Sequence, residues 1–392
     1  MIESFLVDFF EMIKVIKTSF VFLLVISTLL IPFLYWRDVS SFYRLKQEKH
    51  KSNKVRNQTN VKYKLLKNES LSQPDIEHWM IQREEIYSKD KERIREVCKR
   101  YSVPARKIID KMFLKVDHYH KLALCTHPKV GSTTWRTHLK DILPNNIREK
   151  LTQKFGQRSL MAITSDGKWI LDNYFSITKS DVTGGLGDWL APITVNNFLR
   201  RDHFLSFSFV RHPYERLVSA YNDKIDQHEK KTNFKMISSA KKALYEKLLN
   251  NDYSFSSFVN LVLYEYRTSC FPGKTQTSYK LPTNYHNKNC ENKVNAHWRP
   301  FVFECSYCDI NYDLIGRMET WNEDFNYIIR KAGLEKYLPL QKDDSLHYHS
   351  SKQNTEKMTK AYFSKLSKKQ KEDLYHMFRM DFDMFNYDPN IY

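Results

Sequence analysis

The sequence has few of the residues that build the common nucleotide and metal sites. Glycine supplies only 9 of the 392 residues, and the P-loop pattern G-x-x-x-x-G-K-[ST] does not occur. One glycine cluster, Gly184, Gly185 and Gly187, lacks the spacing of a dinucleotide fingerprint and is typical of a loop. Neither an H-E-x-x-H motif nor a carboxylate cluster is present, so we expect no metal.

Signatures of nucleic-acid binding are also missing. The sequence contains no zinc-finger spacing, no RRM-type aromatic signature and no basic helix joined to a zipper. The net charge is nevertheless +18, and residues 37–121 hold 22 Lys and Arg against 12 Asp and Glu. The excess on the remaining chain favours an anionic ligand or a polyanionic substrate, and we expect no nucleic-acid partner. General solubility is the alternative explanation of the charge.

Cysteine is scarce, and its distribution is uneven. Of the six cysteines, four fall between Cys270 and Cys308. This spacing predicts a local disulfide cluster formed in an oxidising compartment. A zinc site built on Cys305-x-x-Cys308 is the alternative, which we disfavour because a second closely spaced pair is missing.

One long apolar run, residues 18–36, contains no charged residue. Its 19 residues come close to the thickness of a bilayer core, and the polar sequence on both sides argues against a buried core helix. The run is longer than the apolar part of a usual signal peptide and lacks a clear cleavage site. We therefore predict a transmembrane signal anchor, preceded by a cytoplasmic tail at residues 1–17.

Residues 37–115 are predicted to form a stem or neck before a folded domain at residues 116–392. The basic flank after the anchor, taken alone, favours a cytoplasmic stem. Glycosylation sequons at Asn57 and Asn68, together with the cysteine cluster, favour a lumenal one. Within this region, the apolar positions from Ile76 to Val116 fit either a helical neck or an N-terminal helix of the domain.

Two stretches each predict a strand, an anion-binding turn and a helix. In the first, an apolar run at Leu122–Cys125 leads to a turn with Lys129 and then to a helix. Backbone N–H groups, the helix N-terminus and the lysine would all attract an anion there. In the second, a strand ends at Arg211 and the next helix carries Ser219, so that both can bind one phosphate. Taken alone, Arg211 and Arg216 are typical of surface arginines.

Five motifs occur in order along the chain. They are HPKVGSTTW, FVRHPYERLVSAY, HWRP, a C-x-x-C followed by YDLIGRMET, and DFDMFNYD. The set resembles the Golgi carbohydrate sulfotransferases of sulfotransferase family 2, which include the HNK-1, chondroitin 4-O- and dermatan 4-O-sulfotransferases. The first motif resembles the family's 5′-phosphosulfate loop and the second its 3′-phosphate motif. His127, and His212 where relatives often have an acidic residue, depart from the pattern.

This resemblance implies a P-loop-like α/β core with a central parallel sheet flanked by helices. It also implies a single-pass type II Golgi membrane enzyme with a lumenal catalytic domain. The expected sulfuryl donor is 3′-phosphoadenosine-5′-phosphosulfate, and the expected acceptor is a sugar hydroxyl of a glycosaminoglycan or a glycoprotein glycan. A non-catalytic polyanion-binding membrane protein and a P-loop nucleotide kinase are the alternatives, and the sequence leaves the oligomeric state open.

The resemblance assigns roles around the bound donor. Lys129 is expected to stabilise charge on the leaving phosphate oxygen, and Arg211 and Ser219 are expected to hold the 3′-phosphate. Other expected donor contacts are Val130, Gly131, Ser132, Thr133, Thr134 and Trp135. For Trp135, packing against the adenine and simple anchoring of its helix are equally acceptable.

A base should take the proton of the acceptor hydroxyl. Histidine is the natural candidate near neutral pH, and His297 is our choice because it lies in the polar HWRP tetrad. A structural histidine packed by Trp298 is the alternative for this position. Glu319 and His127 are the next candidates.

Overall fold

A four-stranded sheet forms the centre of the folded domain. The strands are β1 (Leu114–Asp117), β2 (Leu122–Cys125), β3 (Leu205–Val210), β4 (Ile225–Asp226), β5 (Lys231–Thr232) and β6 (Leu314–Arg317). The central sheet has the order β1–β2–β3–β6, while β4 and β5 pair separately. Strands β2, β3 and β6 are parallel, but β1 is antiparallel to β2. The predicted parallel sheet is therefore a mixed one, because β1 returns into β2 through a short turn.

The computed structural model describes residues 72–103, 114–155, 192–226, 231–232, 239–271, 293–341 and 352–392. Residues 76–392 form one compact unit, and only 72–75 of the other unit, residues 1–75, are described. The predicted anchor, the sequons at Asn57 and Asn68, and the cluster at Gly184–Gly187 lie outside these ranges. Among the described helices, none combines the length and apolar character needed to cross a membrane.

Helices surround the sheet. They are α1 (Gln73–Arg100), α2 (Ser132–Asp141), α3 (Asn145–Phe155), α4 (Pro192–Arg201), α5 (Pro213–Lys224), α6 (Ser239–Leu249), α7 (Phe255–Cys270), α8 (Trp321–Lys331), α9 (Lys352–Phe363) and α10 (Lys368–Phe385). Both predicted strand–turn–helix units are confirmed, as β2–α2 and β3–α5. Helix α5 begins with Pro213, and the His212 ring accepts a hydrogen bond from the Tyr214 N–H. Proline suits this position because it has no N–H to leave unsatisfied.

Helix α1 packs against the domain. The Arg83 guanidinium and the Tyr87 hydroxyl both donate to the Asp324 carboxylate on α8. Arg317, at the end of β6, forms an ion pair of 2.6 Å with Asp90 of α1. These buried contacts support the second of the two predicted roles for this segment, an N-terminal helix of the domain.

An aromatic cluster fills the space between the sheet and helices α2 and α8. The Trp135 ring of α2 is 1% exposed and lies 4.8 Å from the ring centre of Phe207 and 5.7 Å from that of Phe209. Trp321 and Phe325 of α8 contact its other side. Burial of such large rings stabilises the position of α2 on the sheet.

The predicted local disulfide cluster is wrong for Cys305 and Cys308. Cys305 pairs with Cys125 and Cys308 pairs with Cys98, at sequence separations of 180 and 210. Cys270 is also disulfide-bonded. The pairs form between distant segments because folding brings β2 and α1 against the loop that holds Cys305 and Cys308. Because the sulfurs of Cys305 and Cys308 form disulfide bonds, they cannot bind a zinc ion. The zinc alternative is therefore excluded.

Removing the bond between Cys98 and Cys308 should destabilise the fold. A cross-link that closes a loop this long removes much conformational freedom from the unfolded chain. We expect C98S/C308S to lower the free energy of unfolding by about 2–5 kcal/mol. Chemical denaturation of the full-length chain under non-reducing conditions measures this change, and equal denaturation midpoints would contradict the expectation.

Candidate functional site

The loop between β2 and α2 has a backbone suited to an anion. Lys129 has φ +71° and Gly131 has φ +79°, both left-handed. A Cβ at Gly131 would come within 2.5 Å of the Trp321 ring, so glycine is required there. Helix α2 begins directly afterwards, with no side-chain cap and no acidic residue in its first turn. The positive end of the helix is thus directed toward the loop.

Lys129 contacts a carboxylate that does not belong to the predicted site residues. Its Nζ lies 3.3 Å from Oδ2 of Asp223, near the end of α5. The same carboxylate oxygen is 3.1 Å from Nζ of Lys224. Burial lowers the pKa of Lys129, Asp223 opposes this change, and the charges of Lys224 and Arg211 lower the pKa further. The two predicted anion turns therefore act on each other electrostatically.

The other predicted residues of the loop lie at different depths. Val130 is buried, Ser132 and Thr134 are half-buried, and Thr133 is exposed in the first turn of α2. Trp135 belongs to the aromatic cluster and is almost fully buried. Its position favours the anchoring role over packing against an adenine ring.

Arg211 directly follows β3, as predicted. Its Nε lies 3.3 Å from Oε2 of Glu215, whose other oxygen accepts a hydrogen bond from the Tyr392 hydroxyl. Ser219 is half-buried two turns further along α5. Glu319, a candidate base, instead accepts hydrogen bonds from the His212 N–H and the Tyr387 hydroxyl. These bonds give it a structural role.

His297 has a defined tautomer. Its backbone N–H and its ring Nδ1 lie 3.0 and 2.9 Å from Oδ1 of Asn295. An amide oxygen only accepts hydrogen bonds, so Nδ1 donates and Nε2 keeps a lone pair. Burial and then the charge of Lys224 lower the pKa of His297 to about 3, with a further lowering by Lys129. The ring is thus neutral and lies within the electrostatic field of Lys129 in the loop between β2 and α2, here called the donor loop.

Arg216 joins these segments. It is 1% exposed, unlike the surface position that is typical of an arginine taken alone. Its guanidinium donates to three backbone carbonyls, those of Pro128 at 3.2 Å and of Ala296 and Arg299 at 2.6 Å each. Pro128 precedes Lys129, and Ala296 precedes His297. A single side chain therefore fixes the backbone beside both predicted catalytic residues.

Glu304 is the carboxylate partner of this cluster and is 0% exposed. It accepts a hydrogen bond of 3.1 Å from Arg299 and another from His127, and it lies 3.6 Å from Arg216. His127 also contacts the Tyr307 hydroxyl at 2.6 Å. With both ring nitrogens engaged inside the core, His127 is structural rather than a base.

A family model described as the sulfotransferase family matches residues 111–388. The chain belongs to the sulfotransferase family. It is 28% identical over 321 residues to carbohydrate sulfotransferase 11 of Rattus norvegicus, covering 78% of this chain and 77% of the relative. It is 24% identical over 345 residues to carbohydrate sulfotransferase 14 of Danio rerio, covering 84% and 78%. No solved structure matches the chain. The motif resemblance is thereby confirmed, and the protein is a sulfotransferase.

Three residues that contact the predicted site had no role assigned from the sequence, namely Arg216, Asp223 and Glu304. Of these, only Glu304 could have been recognised from the sequence. It follows the apolar stretch Phe301–Phe303, and a charged residue in such surroundings is usually buried and paired. Among the described residues, no group of three or more His, Cys, Asp and Glu side chains could hold a metal ion.

Glu304 should make this sulfotransferase less stable at low pH. Burial alone would raise its pKa, but the attraction of Arg216, His127 and Arg299 outweighs burial and lowers the pKa to about 2. A carboxylate with a depressed pKa stabilises the fold above its ordinary pKa near 4.5, and this stabilisation is lost as the pH falls toward 2. We expect about 3 kcal/mol to be lost over that window.

Denaturation curves at pH 6, 4 and 3 measure this dependence. The variant E304Q should be less stable at pH 6 and should show a shallower loss in acid. The variant E335Q removes an exposed carboxylate, 3.9 Å from Arg330, and serves as the control with a wild-type slope. If the free energy of unfolding fell equally with pH in wild type and in E304Q, Glu304 would not be the source of the pH dependence.

Proposed function

We propose that this sulfotransferase transfers a sulfuryl group from 3′-phosphoadenosine-5′-phosphosulfate to a sugar hydroxyl. The acceptor class we infer is a glycosaminoglycan of the chondroitin or dermatan type, or a glycoprotein glycan. One observation carries the proposal: two strand–turn–helix units, β2–α2 and β3–α5, are built on adjacent parallel strands and place Lys129 and Arg211 in their turns. A donor with separate 5′ and 3′ phosphate groups fits a site with two such turns. The carbohydrate sulfotransferases among the relatives support a sugar acceptor, and the motif resemblance favours the chondroitin or dermatan type or a glycoprotein glycan.

The residues of the site fit this donor. The left-handed turn at Lys129 and Gly131 and the uncapped start of α2 suit the phosphosulfate end. Arg211 and Ser219 suit the 3′-phosphate, which ATP lacks. Val130, Ser132, Thr133 and Thr134 would complete the contacts to the 5′ side through backbone and hydroxyl donors.

In the transfer, the acceptor oxygen forms a bond to sulfur while the bond from sulfur to the nucleotide phosphate oxygen breaks. The Lys129 ammonium stabilises the charge that develops on that phosphate oxygen. The negative charges of the bound donor raise the pKa of His297 from its low value in the nucleotide-free chain, and the lone pair on Nε2 then receives the hydroxyl proton. Arg216 fixes both backbone segments, and correct placement of the reacting groups lowers the barrier further.

We further propose that the enzyme is a single-pass type II protein of the Golgi membrane with its domain in the lumen. The long-range disulfides support an oxidising compartment. The apolar run at residues 18–36 and the sequons at Asn57 and Asn68 support the anchor and its orientation.

Substitution of Lys129 tests the leaving-group role. We expect K129A to reduce transfer from radiolabelled donor by about 10²–10³-fold, because charge on the leaving oxygen loses its main partner. Desulfated chondroitin, dermatan and N-glycans serve as acceptors. The variant K140A removes another lysine, which pairs with Asp141 on α2, and should retain activity. Transfer by K129A at the wild-type rate would refute the role.

Substitution of Arg211 tests the 3′-phosphate pocket. We expect R211A to weaken binding of 3′,5′-adenosine bisphosphate by about tenfold or more, since a charge-assisted contact to phosphate is lost. Titration calorimetry on the full-length chain measures the affinity. R201A, which removes an exposed arginine paired with Asp202, should bind like wild type. Unchanged affinity in R211A would show that Arg211 does not bind the 3′-phosphate. If the wild-type protein neither bound the bisphosphate nor transferred a sulfuryl group, the proposed function would be refuted.

Substitution of His297 tests the base. We expect H297Q to lower kcat by about 10²-fold or more while donor affinity changes little, because the proton acceptor acts only in the transfer step. H203Q changes an exposed histidine just before β3, at the end of that strand opposite Arg211, and is the matched control. A kcat within threefold of wild type would assign His297 to the structural alternative.

A further inference from the structure

A carboxylate lies inside this predicted anion site. Asp223 is one turn beyond Ser219 on α5, a spacing that places both on the same face of the helix. Its Oδ2 lies 3.3 Å from Nζ of Lys129 and 3.1 Å from Nζ of Lys224. The Asp223 side chain is 39% exposed, so it lies at the open side of the site rather than in the core.

A negative charge at this position opposes donor binding. The donor carries several negative charges, and the Coulomb repulsion between like charges is larger in a partly buried site than in bulk water. The carboxylate also engages the Lys129 ammonium that the donor requires. Its presence therefore calls for a function that outweighs these costs.

We propose that the Asp223 carboxylate competes with the bound nucleotide for the Lys129 ammonium, and that this competition promotes release of the bisphosphate product. In the nucleotide-free enzyme, Lys129 is held by Asp223. Donor binding exchanges that ion pair for a contact with the phosphosulfate. After transfer, Asp223 recaptures Lys129 as the bisphosphate leaves. This role rests on the proposed function, because it needs Lys129 to contact the nucleotide.

Lys224 makes the exchange feasible. When Lys129 turns to the nucleotide, Asp223 keeps its 3.1 Å contact with Lys224. The carboxylate is then not left without a partner, which would be costly. In the nucleotide-free enzyme, Asp223 also counters the effect of burial on the pKa of Lys129. The lysine thus stays charged and ready for the next donor.

Nucleotide affinity tests the competition. We expect D223N to bind 3′,5′-adenosine bisphosphate about three- to tenfold more tightly than wild type, with slower dissociation in stopped-flow displacement. A purely structural role for Asp223 predicts weaker binding instead. D223E keeps the competing charge and should stay near wild type. Equal or weaker binding by D223N, in a variant whose thermal unfolding matches wild type, would overturn the proposal.

A double-mutant cycle separates competition for Lys129 from a general effect of charge. The tightening caused by D223N should be much smaller in a K129A background, because the contested group is gone and only the direct repulsion remains. If D223N raised the nucleotide affinity equally with and without Lys129, the proposal would be overturned, and the effect would be a general one of removing a negative charge. D202N removes an exposed carboxylate 3.0 Å from Arg201 and should leave affinity unchanged. Absence of nucleotide binding by wild type would refute the proposed function, whereas wild-type binding without tightening in D223N would refute only the competition.

Discussion

The site depends on one buried guanidinium, that of Arg216. Burying a charged group is unfavourable unless it is paired and hydrogen-bonded. Here three backbone carbonyls and the Glu304 carboxylate meet that requirement, and the Phe301 ring lies 4.3 Å from the guanidinium carbon. Because the carbonyls belong to Pro128, before Lys129, and to Ala296 and Arg299, on either side of His297, satisfying Arg216 also holds these two backbone segments together.

A disulfide bond reinforces the segments that the Arg216–Glu304 pair holds together. Cys125, at the end of β2, is bonded to Cys305, the residue after Glu304. The disulfide thus joins the start of the donor loop to the loop that supplies the carboxylate of the cluster. The Tyr307 hydroxyl extends the network to Ser208 of β3 at 2.8 Å. Two adjacent strand ends and the tetrad are therefore held as one unit, on which the more exposed Lys129 and Asp223 can exchange partners.

Local features of the fold were predictable from the sequence, and long-range ones were not. The strand at Leu122–Cys125 and the helices after both turns follow from apolar spacing and turn residues, which act over a few positions. The reversal at β1 and the pairing of Cys98 with Cys308 depend on which distant segments meet, and composition does not encode that. The burial of Arg216 was not predictable, because an arginine taken alone is typically at the surface. Asp223 was missed because a single acidic residue in a helix carries no signal until its neighbours in space are known.

The central claim is that Arg216 and Glu304 act as one buried unit that holds the two halves of the site together. The direct test is a double-mutant cycle on the free energy of unfolding of the full-length chain, with R216M, E304Q and the double variant. Each single change should cost about 3–5 kcal/mol because it leaves a buried charge or its partners unsatisfied. The account predicts that the double variant costs at least about 2 kcal/mol less than the sum of the single variants. Additive costs would contradict it.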